Sequence, residues 1–162
     1  YELHGCVERG DQRGRSIGFP TANLHQPTDA AAALLLPADG VYACVARLPD
    51  GRRVPAATNV GSRPTFEGVD RRVEAHLIDP RTGSPAANIA EYGWPIVLEF
   101  VAFLRDQVRF PGIDALRQQL ERDRRACVAI IRDLLDSPAT ATPAAKGIAL
   151  DEFRLDIFTG TH

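Results

Sequence analysis

The segment GDQRGRSIGFPTAN, residues 10–23, gathers three glycines, two arginines and a Thr-x-Asn pair that follows a proline. Glycines at 10, 14 and 18 free backbone N–H groups to turn into one concavity, a nest for anionic oxygens, and Arg13 and Arg15 add positive charge beside it. Thr21 and Asn23 stand two apart on an extended segment and so project to the same side, where a hydroxyl and an amide oxygen offer hard ligands for Mg²⁺ and hydrogen bonds to phosphate oxygens. This is phosphate chemistry in outline. It is not a Walker loop, because the Gly-Lys-Ser/Thr ending is absent, nor a dinucleotide fingerprint, which needs a βαβ setting. For the glycines and arginines alone, an ordinary surface turn fits at least as well; the Thr-x-Asn pair tilts the reading toward phosphate.

A second point of interest is VEAHLID, residues 73–79. Glu74 alternates with apolar Val73, Ala75 and Leu77, so its plain reading is a carboxylate on the solvated face of a strand, paired with Arg71 or Arg72. His76 shares the face of Glu74, either as a neighbour of a site or as a satisfied strand residue. His4, His25, His76 and His162 show no metal-ligand spacing with any cysteine, which disfavours a zinc site. Cys6, Cys44 and Cys127 are odd in number and far apart, fitting neither a disulfide framework nor a metal motif, and Cys44 belongs to an apolar run that reads as core. Trp94 follows a Tyr-Gly turn and reads as packing under a loop, with a ligand cover as the alternative.

These residues need a scaffold, and the chain offers mostly strands. Residues 3–9, 40–48, 53–60, 71–79 and 95–104 are short, rich in Val, Tyr or Phe, partly alternating, and punctuated by Gly, Pro and Asp. PDGRR between the second and third predicts a hairpin turn, since Asp-Gly tolerates positive φ. Many short strands with turns between them predict an antiparallel barrel or sandwich. From Ile113 the period changes: Ile113, Leu116, Leu120, Cys127, Ile130 and Leu134 predict one apolar face of a helix that runs to about Asp136. Asp114 suits the positive end of its dipole, and Asp123 interrupts the stripe, predicted at its edge beside an arginine such as Arg124. Residues 137–162 read as a linker, SPATATPAAKG, followed by IALDEFRLDIF, a last short helix or strand.

Composition sets the frame. At 162 residues the chain is one domain by length, able to bury roughly 70% of its unfolded surface in a single core. Nineteen basic residues against twenty-one acidic give a net charge of −2, so no global field recruits nucleic acid and any anion site must be local. The cysteine usage favours a reduced, cytoplasmic setting, and no apolar run reaches membrane-spanning length. The N-terminal Tyr and the absence of Met predict a fragment of something longer.

Taken in order, GRSIGFPTANL, LPADGVYA, NVGSRPTF, VEAHLID, EYGWPIVLEFVAFLR and ALRQQLERDRRAC resemble the riboflavin kinases, the kinase module of bacterial bifunctional riboflavin kinase/FAD synthetases. The resemblance runs from about Leu3 to Cys127. It implies a mainly β fold, a six-stranded antiparallel Greek-key β-barrel with a C-terminal α-helix, over residues 1–136. It also implies transfer of the ATP γ-phosphoryl group to the 5′-hydroxyl of riboflavin to give FMN, with Mg²⁺ as cofactor and an upstream FMN adenylyltransferase domain as partner. Neither nucleic acid nor membrane is implied.

Carried onto this sequence, Thr21 and Asn23 match the Mg²⁺ and phosphate ligands, Gly10 and Arg15 the nucleotide-loop positions, and Glu74 the catalytic base. Tyr92 in EYG falls where the family has a nucleotide-side tyrosine, and Arg105 and Phe110 fall in the segment that holds the flavin. Phe110 is equally a hydrophobic staple onto the following helix. Two departures stand out: the link PRTGSPAANIAEYG is longer than in the family, where it borders the ligand sites, with Ala90 in place of an Asp, and the tail beyond Asp136 matches nothing. The alternative to an active kinase is a flavin- or nucleotide-binding regulatory module that kept the fold without turnover.

Overall fold

The computed structural model describes residues 1–10, 13–25, 36–65 and 68–136. The linker and tail at 137–162, and with them any docking of IALDEFRLDIF, lie outside the described residues. Six strands form the body: β1 (Glu2–Glu8), β2 (Ala22–His25), β3 (Gly40–Arg47), β4 (Arg53–Thr65), β5 (Gly68–Leu77) and β6 (Pro95–Arg105). They close into an antiparallel barrel in the order β1-β2-β5-β4-β3-β6, the Greek key implied by the resemblance. Five of the strands match the alternating runs in the sequence. The sixth, β2, carries Asn23 and is only four residues long, too short for a periodicity signal.

Alternation sorts the side chains. Along β5, Val73, Ala75 and Leu77 point into the barrel with Tyr42, Cys44, Ala56, Val60, Ile96 and Leu98, while Glu74 and His76 face outward, as does Ile78 just past its end. The PDGRR turn forms as expected: Gly51 sits at φ 84°, and the Asp50 carboxylate accepts from the Arg52 N–H at 3.0 Å. Trp94 packs in the barrel core and donates its indole N–H to the Ala90 carbonyl at 2.8 Å, which answers the choice between packing and ligand cover in favour of packing.

Among the described residues, two helices accompany the barrel. The short α1 (Arg13–Ser16) lies within the glycine-rich segment, and its Gly14 sits so close to the Phe19 carbonyl that a Cβ would not fit there. The long α2 (Ile113–Asp136) lies outside the barrel, where Cys127, Val128 and Ile131 bury against Ala43, Val45 and Ile78. Its buried face differs from the predicted stripe: Ile113, Ile130 and Leu134 are 58%, 37% and 44% exposed. The apolar pairs 127/128, 130/131 and 134/135 allow two stripes, and the barrel wall selects the one through Val128 and Ile131. Burial pushes the Cys44 and Cys127 thiols up to about 12, so both behave as core side chains.

Candidate active site

A cavity of about 370 Å³ lies outside the barrel wall, roofed by the first half of α2. Its floor is the outer face of β3, β4 and β5, with Val41, Ala57, Asn59, Glu74 and His76. Its sides are the strap from Gly14 to Thr21 and the end of β6 with the segment that follows, which bring Arg105, Gln107, Val108 and Phe110. Leu116, Leu120 and Asp123 close it from above. Apolar walls with a few convergent polar groups are the usual make-up of a small-molecule site.

Register places the carboxylate. Glu74 stands opposite Asn23 of β2 on one side and opposite Asn59 of β4 on the other, so the three polar side chains form a row across the sheet. The Asn23 amide fills the space that a Cβ at Gly10 would need, so only glycine at position 10 lets the amide sit there. Asn59 Oδ1 accepts from Gln107 Nε2 at 3.0 Å, and the same nitrogen donates to the Val60 carbonyl at 3.0 Å. Arg71 is engaged elsewhere: its guanidinium donates to the Pro37 carbonyl at 2.6 Å and to Asp39 at 2.9 Å.

Arg105 reaches this side of the barrel through irregular pairing. Register shifts between β3 and β6 at Val41/Tyr42 and Ala43/Cys44 leave β6 with extra residues, and they turn Ala102 and Leu104 toward α2. Arg105 follows. Its Nε and Nη2 donate to both carboxylate oxygens of Asp123 at 2.7–3.1 Å, Nη1 donates to the Asp106 carbonyl at 2.9 Å, and its guanidinium lies 5.8 Å from the Phe110 ring centroid. Asp123 is therefore neither at an edge nor paired with Arg124 as the sequence suggested. It is 5% exposed, held by Arg105 and by Gln119 Nε2 at 2.9 Å. Arg124 instead donates to the Gly83 carbonyl and to Glu121.

His76 is the other buried polar residue here. Its Nδ1 lies 2.8 Å from the Pro20 carbonyl, and its ring packs tilted on Phe19 with centroids 5.3 Å apart. Burial pulls the imidazole below its usual range, opposed by the Pro20 carbonyl, while Arg124 lowers it further and Glu121 raises it.

Of the residues singled out in the sequence, Thr21, Glu74, Arg105 and Phe110 line the cavity. Asn23 lies beside it, across the β2–β5 ladder from Glu74, and Gly10 packs against the Asn23 amide. Arg15 and Tyr92 do not line it: the Arg15 guanidinium donates to Glu91 at 2.7 Å, and Tyr92 packs against the barrel core. The long link at 80–91 also contributes no cavity-lining residue. It is pinned to the barrel by Arg52, which donates to the Ala87 and Asn88 carbonyls, and to α2 by Arg124. Sequence reasoning missed Asn59, Gln107 and the role of Asp123; strand register was the only signal for Asn59.

The family model described as Flavokinase: Riboflavin kinase matches residues 1–131. The chain belongs to the riboflavin kinase family. A bifunctional riboflavin kinase/FMN adenylyltransferase from Haemophilus influenzae is 38% identical over 125 residues, covering 76% of this chain and 36% of that protein. This riboflavin kinase family member thus spans little more than a third of that relative's length. Two solved structures share its fold. Riboflavin kinase from Trypanosoma brucei superposes with a TM-score of 0.56 at 21% identity, covering 85% of this chain and 80% of the other. A macrolide-efflux protein from Streptococcus pneumoniae gives a TM-score of 0.65 at 31% identity over 78% of this chain and 38% of the other. Among the described residues no helix is long and apolar enough to cross a membrane.

Proposed function

We propose that this chain is a riboflavin kinase module that transfers the γ-phosphoryl group of ATP to the 5′-hydroxyl of riboflavin, within a longer protein that also carries an FMN adenylyltransferase domain. The observation that carries the reading is the row Asn23–Glu74–Asn59 at the edge of a cavity with apolar walls. Glu74 accepts the proton of the 5′-hydroxyl as its oxygen bonds to phosphorus, and the bond from phosphorus to the ADP oxygen breaks. General-base assistance of this kind supplies about 10²–10⁴ in rate.

The flavin ring belongs between Phe110, Val108 and the Arg105 segment on one side and Phe19 on the other. Asp123 holds Arg105 so that the segment keeps its shape. Gly10, Arg15 and Tyr92 belong to the nucleotide side, where the Arg15–Glu91 pair ties α1 to the residues before Tyr92. The donor set fits Mg²⁺. Thr21 offers a hydroxyl and Asn23 an amide oxygen beside Gly10, leaving further positions to phosphate oxygens and water. When bound, the ion supplies charge neutralisation on the phosphates.

Incubating the chain with riboflavin, ATP and Mg²⁺ and separating the flavins tests the proposal. FMN forms under this reading. Tight binding of riboflavin and ATP without FMN would instead indicate a non-catalytic regulatory module.

A further inference from the structure

His76 is 5% exposed, lines the cavity, and has no part in the chemistry just described. A carbonyl oxygen can only accept, so the 2.8 Å contact with Pro20 puts the proton on Nδ1 and leaves the lone pair on Nε2. Nε2 is itself buried with no hydrogen-bond partner among the described residues. A ring with one nitrogen orphaned is a costly way to fill space, which points to a use for the other nitrogen.

That use is visible in the sheet. The β2–β5 ladder ends at the pair Ala22↔Ala75. One step further, Thr21 would stand opposite His76, but the chain has left the sheet, and Pro20 has no N–H to offer a ladder. The His76 side chain takes over where backbone pairing stops, holding Pro20 by its carbonyl and Phe19 by its ring. We propose that His76 is a positioning residue that fixes the Phe19–Pro20 strap and so sets the place of the Thr21 hydroxyl relative to Asn23 and Glu74. The inference rests on the proposed phosphate and metal roles of Thr21 and Asn23.

Two substitutions separate the donor from the ring. His76→Asn keeps an N–H donor near the Nδ1 position and gives up the ring; His76→Phe keeps the ring over Phe19 and gives up the donor. With the donor lost, kcat/KM for MgATP falls about tenfold while KM for riboflavin stays within about twofold, and the asparagine variant recovers most of the loss. A phenylalanine variant with unchanged MgATP kinetics, an effect confined to riboflavin KM, or no recovery in the asparagine variant would overturn the inference, provided the parent chain makes FMN. A parent chain that makes no FMN overturns the functional reading and the inference with it. If the phenylalanine variant does not fold, ¹⁵N resonances of the His76 ring in the parent chain decide: an Nδ1–H tautomer supports the inference and an Nε2–H tautomer contradicts it.

Discussion

Asn23 on β2 and Glu74 on β5 are register partners across the barrel wall, with the Asn23 amide seated over Gly10. The pairing brings an amide oxygen, a ligand for the cation that would neutralise the phosphates, beside a carboxylate able to accept a proton from an alcohol. Replacing Asn23 by Ala removes a donor to a charged group without disturbing the ladder, which uses only its backbone. MgATP binding should weaken by about 1.5–3 kcal/mol, with the Mg²⁺ dependence of turnover shifted to higher concentration. An unchanged Mg²⁺ titration at normal activity would remove Asn23 from the site.

A second prediction concerns Asp123. Its carboxylate is buried beneath the cavity roof and grips Arg105 through two nitrogens. Asp123→Ala leaves the Arg105 charge uncompensated, at a cost of about 3 kcal/mol or more. For a chain of this length that lowers Tm by roughly 6–12 °C. KM for riboflavin should rise as the Phe110 segment loosens. Thermal unfolding and steady-state kinetics on the one variant check both effects; a normal Tm would show that the pair is not structural.

The His76 imidazole yields a pH prediction. Burial lowers its pKa from 6.5, and Arg124 works in the same direction, against the Pro20 carbonyl and Glu121. As pH falls below about 6.5 the unfolded chain therefore takes up a proton that the folded chain refuses, and stability falls until the folded pKa is reached. The slope from this one group is at most about 1.4 kcal/mol per pH unit. Urea unfolding at about pH 7.5 and about pH 5.5 should show a steeper decline for the parent chain than for His76→Asn. Equal declines would mean that His76 titrates normally.

What was legible in the sequence follows from how local each signal is. Five strands and α2 announce themselves by alternation and by a 3.6 period, and the Asp50-Gly51 turn by its residue types. β2 is too short for periodicity, and its Asn23 drew notice only through its spacing from Thr21. The buried face of α2 was misread because adjacent apolar residues at 130 and 131 make either stripe plausible until the barrel wall chooses. Arg105–Asp123 and Asn59–Glu74 depend on bulges and register, which bring together residues 18 and 15 positions apart through tertiary structure alone. The functional reading of Glu74 came from the resemblance, since its local pattern is that of any solvated strand carboxylate.

The most direct measurement is kcat of Glu74→Gln. Glutamine is nearly isosteric and keeps hydrogen-bonding capacity on the strand, but it cannot take the proton of the 5′-hydroxyl. Riboflavin and MgATP should bind almost normally, and kcat should fall by about 10² or more. A folded glutamine variant that turns over within a few-fold of the parent would contradict the account, leaving Glu74 structural and the base elsewhere.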